Sequence, residues 1–276
     1  MIRSEFKTEK VTEHITRIYA FCSEQMYLVE GKERAALLDS GSGIGSVRPL
    51  IARLTVRPVT VLLTHGHVDH AMGASEFPAE DVYINQEDAY IYRKHCTLEF
   101  RRKSLWMQET DDLVTDEDFT PMVPIESWHD LKEGDFFDLG GISVEIHACP
   151  GHTRGSLVML IPEERTVLLG DACSHSTFLF QDYSTSLEEY RVSLSRLREK
   201  LESRFDMALS SHGSGMLAKD VVDDNLSLCE QILAGEIHGF PMELRGTMAL
   251  RARKHVSQGH GNIFYNPARI YRSGSV

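Results

Sequence analysis

The sequence predicts an α/β fold in which two mixed β-sheets pack face to face, with helices on the outer faces. Three observations support this class. Short apolar segments separated by turns fill the first third of the chain, later apolar segments alternate with amphipathic helices, and 42% of the 276 residues are hydrophobic. A sheet or helix with one apolar face must bury that face against another element, and stacked layers meet this requirement.

Three short strands are expected near the N-terminus, because apolar-rich segments there are separated by polar or glycine turns. The third strand leads into a glycine-rich loop that starts at Asp39. Apolar residues at helical spacing then predict a helix from about Ser46, and Pro58 ends it. The three strands cover residues 15–21, 25–30 and 34–38.

An insertion is expected between the strand predicted at residues 59–64 and the later core strands. Residues 59–64 form a continuous apolar run, which is typical of a strand buried on both faces. The insertion, residues 87–124, begins with an amphipathic helical pattern and contains an acidic cluster at residues 109–118. Because such insertions often lie over binding sites, we expect this one to form one wall of the functional site.

The second half of the chain returns to strands and adds two helices. One helix begins at a capping box formed by Thr185 and Glu188, and the other covers residues 220–234. There is no internal repeat and no low-complexity linker, so we expect a single domain over residues 1–276. The strands are expected at residues 143–148, 157–161, 166–169 and 207–210.

The C-terminal tail, residues 244–276, is basic, and no acidic residue follows Glu243. Two interpretations stay open. In the first, the tail pairs with the acidic cluster, either in the same chain or in a partner. In the second, some of its arginines reach the functional site and bind an anionic group of the substrate. Residues 262–270 predict a short strand and a turn, so the tail should be docked. Its basic residues are Arg245, Arg251, Arg253, Lys254, Arg269 and Arg272.

The composition excludes several classes of protein. Lys plus Arg number 29 and Asp plus Glu 41, so the net charge of −12 disfavours binding to nucleic acid or to anionic membranes. The five cysteines are widely spaced, which fits a reducing cytosol better than a disulfide framework. Without a signal-peptide pattern or an apolar run of roughly 18 residues, the expectation is a cytoplasmic protein that does not span a membrane. A small-molecule substrate and a homo-oligomer are compatible with this composition.

A histidine-rich segment, HGHVDH at residues 65–70, directly follows the strand predicted at 59–64. In extended backbone, residues two apart point the same way, so His65 and His67 can bind one metal ion. If Asp69 and His70 begin the next turn, they point elsewhere and can serve a second ion or orient water. Imidazole nitrogens and carboxylate oxygens are ligands that zinc favours.

Three further candidate ligands follow predicted strands. His152, Asp171 and His212 each come after an apolar strand and before a glycine or turn residue. All three can therefore converge on one edge of the sheets. His175 lies four residues beyond Asp171, and both a substrate-binding role in the pocket and an ordinary loop position are open for it.

The motifs HGHVDH, PGHT, LLGD and SSHG, in this order, resemble the metallo-β-lactamase fold superfamily, particularly its glyoxalase II-like and lactonase-like hydrolases. The resemblance covers roughly residues 15–213, and Asp39 matches the strand-end aspartate of the family. It implies a four-layer αββα sandwich, which agrees with the layers predicted from the pattern. It also implies two divalent metal ions, for which zinc is the first candidate and iron or manganese are alternatives.

The resemblance also implies a role for each candidate ligand. Two ions would lower the pKa of a shared water toward 7, and the resulting metal-bound hydroxide would attack a carbonyl or phosphoryl centre. Asp69 would be the catalytic residue that orients this nucleophile and carries its proton. The implied ligands are His65, His67 and His152 for the first metal, Asp69, His70 and His212 for the second, and Asp171 as the bridge.

The implied function is a dinuclear metal-dependent hydrolase of a small ester, thioester or lactone. Asp171 occupies a position where many true β-lactamases of the superfamily lack a bridging carboxylate, so antibiotic hydrolysis is not expected. His67 stands where the flavin-linked diiron members carry an acid, which argues against that branch. The helical substrate domain of glyoxalase II is not evident after His212.

Three alternatives remain open from the sequence. The first is a mononuclear iron oxidoreductase that resembles the persulfide dioxygenases, whose motif is similar. The second is a phosphodiester hydrolase, although the extra arm and basic surface of the tRNA-processing nucleases are not evident. The third is a metal-binding module without catalytic activity.

Overall fold

The computed structural model describes residues 6–106, 113–244, 246–255 and 260–272. The chain divides into two compact units, unit 1 (Met1–Glu145) and unit 2 (Ile146–Val276), and each unit has its own hydrophobic core. Residues 109–112 of the acidic cluster and Arg245 of the tail lie outside the described residues. Within the described part of the chain, no helix is both long and apolar enough to cross a bilayer.

Unit 1 is a mixed sheet with short helices. Strands β1 to β7 pair in chain order, antiparallel from β1 to β4 and parallel from β4 to β7. The strands of this sheet are β1 (Lys7–Lys10), β2 (Ile15–Tyr19), β3 (Gln25–Glu30), β4 (Ala35–Leu38), β5 (Val59–Leu62), β6 (Val82–Ile84) and β7 (His129–Asp130). The unit also contains β8 (Phe136–Asp138) and the start of β9 (Ser143–Ala148), which pair antiparallel with each other outside this sheet. The helices are α1 (Arg48–Leu54), α2 (Val68–Ala71), α3 (Ala89–His95) and α4 (Leu98–Trp106).

The parallel pair β4 and β5 determines where the histidine-rich segment begins. Leu37 and Val61 are fully buried in the core, as expected for continuous apolar strands covered on both faces. Leu38 pairs with Leu62, and the Asp39 N–H continues the ladder to the Leu62 carbonyl at 2.9 Å. Because parallel strands end at the same edge, Asp39 and the residues that follow Leu62 leave the sheet side by side.

Unit 2 combines one mixed sheet, two long helices and a smaller sheet. Strand β9 continues into this unit. The other strands are β10 (Leu157–Ile161), β11 (Thr166–Leu168), β12 (Thr177–Leu179), β13 (Met207–Leu209), β14 (Met216–Leu217), β15 (Phe240–Leu244), β16 (Thr247–Arg251) and β17 (Ile263–Tyr265). The helices are α5 (Leu187–Leu201) and α6 (Val221–Leu233).

The larger sheet of unit 2 has the order β14-β13-β11-β10, with β9 next to β10. Strands β11 and β13 are parallel, and Leu168 pairs with Leu209. Asp171 and His212 therefore follow the ends of two neighbouring parallel strands. Helices α5 and α6 bury apolar residues such as Leu194 and Leu228 in the core of this unit.

The smaller sheet, of order β12-β17-β16-β15, takes two of its strands, β16 and β17, from the C-terminal tail. The strand and turn predicted at residues 262–270 are confirmed as β17 and a 3₁₀ turn at Pro267–Arg269. The predicted α/β class of mixed sheets and helices is confirmed. The sequence did not predict this third sheet.

The capping box predicted for α5 is wrong by one residue. Ser186, not Thr185, is the N-cap: its hydroxyl accepts the Glu189 N–H, and the Glu189 carboxylate accepts the Ser186 N–H. Thr185 is instead buried in the preceding turn, where its N–H donates to the Gly151 carbonyl at 2.9 Å. Both serine and threonine suit an N-cap, so residue type alone does not choose between them.

Candidate metal-binding residues

The histidine-rich segment of unit 1 forms the turn from β5 into α2. His67 is the N-cap residue of α2, and Asp69 and His70 lie within that helix, so they begin the next turn as expected. The Gly66 N–H donates to Asp88 Oδ2 at 2.9 Å. A Cβ at Gly66 would lie 2.8 Å from the Asp88 Cβ and carbonyl oxygen, so this close approach requires glycine.

The imidazoles of this segment converge. His65 Nε2 lies 2.9 Å from His67 Nδ1, and the ring centroids of His65 and His70 are 4.0 Å apart. His65 and His70 are each 1% exposed. His65 thus contacts both of the other imidazoles, and three such rings can supply several nitrogen ligands to one small volume, which is the ligand chemistry of zinc and other divalent transition metals.

Asp39 fixes the orientation of His70. Its Oδ2 lies 2.8 Å from His70 Nδ1, and its carboxylate also accepts the Thr64 N–H and hydroxyl at 2.8–2.9 Å. A carboxylate can only accept, so His70 donates through Nδ1–H and carries its lone pair on Nε2, as a metal ligand requires. Asp39 has φ +60°, a left-handed conformation that aspartate tolerates better than most residues.

Asp69 differs from its buried neighbours because its side chain is 34% exposed. Its Oδ2 lies 3.7 Å from His70 Nε2. A carboxylate that combines this proximity with access to solvent can bind a metal, orient a water molecule or exchange a proton with it.

The glycine-rich loop after Asp39 is held by two buried ionisable side chains that the sequence did not identify. Glu24 is 1% exposed and accepts the Ser42 N–H at 2.8 Å, and burial raises the pKa of its carboxyl. Arg101 of α4 donates to the carbonyls of Ser42 and Gly43, and burial lowers the pKa of its guanidinium to about 10. The insertion thus supports this loop.

In unit 2, His152 and Asp171 lie next to each other. His152 is 4% exposed, and its Nδ1 lies 2.9 Å from the Phe178 carbonyl. A carbonyl can only accept, so the lone pair of His152 lies on Nε2, which is 3.7 Å from Asp171 Oδ2. His212 Nε2 lies 3.5 Å from the other oxygen, Asp171 Oδ1. One carboxylate with a histidine at each oxygen has the arrangement that a bridging ligand needs.

His175 lies beside this group. A Cβ at Gly213 would be 3.0 Å from His175 Cε1, so the ring packs against the residue that follows His212. Burial lowers the pKa of His175, the nearby His212 lowers it further, and Asp171 opposes the change. This position suits the predicted substrate-binding role, which stays a prediction.

The structure therefore brings the predicted ligands together in two groups. One group in unit 1 consists of His65, His67, Asp69 and His70, and one in unit 2 consists of His152, Asp171 and His212. Both groups fit a divalent transition metal, because two of the histidines are held in the ligating tautomer by acceptors at Nδ1. The seven residues of the two groups are the ones that would hold the metal.

The insertion contacts the histidine-rich segment through one ring. The ring of His95, at the end of α3, stacks on the ring of His67 with centroids 5.1 Å apart. His95 is 7% exposed, so it is a packed residue. No sequence spacing pointed to its contact with His67.

The basic tail has acidic partners within its own unit. Arg253 forms a two-point ion pair with Asp224 at 2.5 and 2.6 Å, and Arg272 lies 3.8 Å from Glu189. In unit 1, Asp116 of the acidic cluster pairs with Arg102. Arg253 and Arg272 of the tail and Asp116 of the cluster thus each have a partner within their own unit, and pairing between the tail and the cluster stays a prediction.

The family model that matches the chain is described as "Metallo-beta-lactamase superfamily", and the match covers residues 19–205. An uncharacterized protein of Mycobacterium tuberculosis is 30% identical over 136 residues, 46% of this chain. The match spans only about half, 54%, of that relative's length.

Two further relatives have named activities. The hydroxyacylglutathione hydrolase GloC of Haemophilus influenzae is 24% identical over 72% of this chain and 90% of its own. The acyl-coenzyme A thioesterase MBLAC2 of Gallus gallus is 24% identical over 64% of this chain and 67% of its own. Among solved structures, a metallo-β-lactamase from Pontibacter korlensis has a TM-score of 0.57 and 17% identity, over 82% of this chain and 99% of the other, which shows a similar fold.

Proposed function

Because the chain belongs to the metallo-β-lactamase superfamily, we propose that it is a metal-dependent hydrolase that cleaves small thioesters. The observation that carries the proposal is the pair of ligand groups, each with a histidine whose Nδ1–H is held by a fixed acceptor. The names of GloC and MBLAC2 support the thioester as substrate, since both describe enzymes that hydrolyse thioesters. Small esters and lactones are the next candidates.

The proposal assigns two divalent ions, with zinc as the first candidate, to the seven ligands of the two groups. The ions, when bound, would supply Lewis acidity and a water of lowered pKa. His65, His67 and His152 would hold one ion, and Asp69, His70 and His212 the other. Asp171, with a histidine at each of its oxygens, is proposed as the bridging ligand.

The roles of the other side chains follow from their exposure. Asp69, the exposed carboxylate of its group, would hold the attacking water by accepting its proton and would return that proton to the leaving thiolate. His175 would contact the substrate from beside His212. Asp39 would keep the Nε2 of His70 directed toward the metal.

The test is metal analysis of protein purified without chelator, followed by a substrate panel. We expect about two equivalents of transition metal and turnover of acyl thioesters. His67→Ala and Asp171→Ala should each lose metal and reduce kcat/KM by more than about 100-fold. His129→Ala is the matched control, because His129 is an exposed histidine of β7 that belongs to neither ligand group.

Other outcomes would overturn the proposal in defined ways. One equivalent of iron, with oxygen uptake on a persulfide, would identify a mononuclear dioxygenase. Turnover restricted to phosphodiesters would identify a different hydrolase. Metal binding without turnover of any thioester, ester or lactone would indicate a non-catalytic module.

A further inference from the structure

Two flat rings of the insertion stack on one ring of the histidine-rich segment, so that three rings lie in a row. His95 lies nearly parallel to His67, with 13° between the ring planes and 5.1 Å between the centroids. Phe100 of α4 is nearly parallel to His95 in turn, at 12° and 4.2 Å. Flat rings have preferred relative orientations, offset-stacked or edge-to-face, so such a contact favours one tilt of each ring, which contact with an aliphatic side chain does not specify.

Helix α3, which carries His95, is itself anchored. The Tyr92 ring is fully buried, its hydroxyl donates to the Val123 carbonyl at 3.1 Å, and it packs edge-on against Trp128. Just before the helix, the fully buried Asp88 accepts the Gly66 N–H. The segment from Asp88 to His95 therefore contacts the histidine-rich segment at its backbone and at one imidazole ring.

We propose that His95 is a positioning residue for His67. The inference rests on the proposed function, in which His67 is a metal ligand. The torsion that turns an imidazole about its Cβ–Cγ bond is broad, so an unsupported ring must lose freedom when it coordinates an ion. Stacking on the fixed ring of His95 removes that freedom in advance. Residues 87–124 then help to assemble the metal site as well as forming a wall beside it.

The test compares two substitutions of similar size at this buried position. His95→Phe keeps a flat ring that can stack on His67, and His95→Leu fills the space without one. The matched control is His129→Leu, because His129 also stacks on an aromatic ring, that of Tyr83 at 4.7 Å, but is exposed and remote in sequence from the ligands. Affinity for Zn²⁺ is measured by competition with a chromogenic chelator, and ligand geometry by the visible absorption of the Co²⁺-substituted protein.

We expect His95→Leu to weaken Zn²⁺ binding by about tenfold, the lower end for residues that support a ligand, and to change the Co²⁺ absorption bands. His95→Phe and His129→Leu should remain close to wild type in both measurements. If His95→Leu does not fold, Phe100→Leu provides the second variant, because Phe100 is half-buried. It should weaken Zn²⁺ binding and change the Co²⁺ absorption bands less than His95→Leu would.

Two results would overturn the positioning role while leaving the proposed function intact. One is a wild-type Zn²⁺ affinity and Co²⁺ spectrum in His95→Leu. The other is an equal loss in His95→Phe and His95→Leu, which would show that the ring plane is not what matters. A wild-type protein that binds neither ion would instead refute the proposed function, and the positioning role with it.

Discussion

The carboxylate of Asp39 lies 2.8 Å from Nδ1 of His70, and both side chains are 1% exposed. Asp39 directly follows β4, and His70 lies in α2, the helix that follows β5, so the contact depends on the register of β4 and β5. A buried carboxylate that also binds Thr64 cannot rotate away without leaving unpaired polar groups.

The first prediction concerns this contact. Asp39→Asn should weaken metal binding by about 10- to 100-fold, because an amide is a poorer acceptor and can present its NH₂ group to His70 instead. Asparagine tolerates φ +60°, so the backbone should be retained. Chelator competition measures the affinity, and circular dichroism checks the fold. Unchanged affinity in a folded variant would contradict the role assigned to Asp39.

The second prediction concerns metal removal. An ion that binds only the folded protein stabilises it by about 2.7 kcal/mol at 100 times its Kd. We therefore expect a chelator to lower the Tm of the wild-type protein and to have little effect on His67→Ala. Differential scanning calorimetry with and without chelator provides the comparison. Wild-type scans that superimpose with and without chelator would contradict the prediction.

The third prediction concerns Gly151, which precedes His152. A Cβ at this position would lie 2.2 Å from Tyr190 Cδ2, and Tyr190 is fully buried with its hydroxyl bound to the Ala172 carbonyl at 2.7 Å. Because the ring cannot retreat, Gly151→Ala should cost about 1–3 kcal/mol of stability and shift His152. Urea denaturation and Zn²⁺ affinity should both report the loss. A change in neither would mean that the loop adjusts freely.

The fourth prediction concerns pH. Burial raises the pKa of Asp224, but hydrogen bonds from Arg253 and the Gly261 N–H outweigh it, so the pKa in the folded protein lies below its usual value. The resulting stabilisation is present above the unfolded pKa of about 3.9 and is lost as the pH falls through the folded pKa. Asp224→Asn should cost about 1–3 kcal/mol at pH 7.

Denaturation curves of wild type and Asp224→Asn between pH 7 and pH 3 test this prediction. The difference between the two proteins should begin to shrink below about pH 4, where the carboxylate of the unfolded protein takes up a proton while that of the folded protein is still ionised. It should be lost as the pH falls further, through the folded pKa. A difference that stays constant with pH would show that the ion pair with Arg253 is not its source.

The fifth prediction concerns the N-cap of α5. Ser186→Ala should lower the free energy of unfolding by about 1 kcal/mol, because the Glu189 N–H loses its acceptor. Ser203→Ala, at an exposed serine just beyond the end of the same helix, is the control and should be neutral. Equal effects of the two substitutions in urea would argue against the cap.

The sequence predicted best those short strands that polar or glycine turns separate. The bounds of β3, β9 and β10 agree with their predicted ranges, because a largely buried strand stands out from the turns around it, whereas β5 ends at Leu62, two residues before its predicted end. Strand β7, with only His129 and Asp130, is too short to produce any pattern. Its pairing depends on neighbours that the sequence does not specify locally.

The candidate ligands were predictable because their spacing follows strand ends. The supporting residues were not. Contacts such as His95 on His67, or Arg101 on the carbonyls of Ser42 and Gly43, join residues that are distant in the chain and have no characteristic spacing. Such contacts depend on tertiary packing, which a one-dimensional pattern does not encode.

The parallel pairing of β12 with β17 has a consequence for the order of assembly during translation. Strand β12 lies between Asp171 and α5, but its partner is synthesised only after both long helices of unit 2 have left the ribosome. Helices α5 and α6 can form from local contacts, whereas the segment that includes His175 must wait for that late strand. A nascent chain stalled before β17 would thus expose the unpaired edge of β12 to chaperones and proteases.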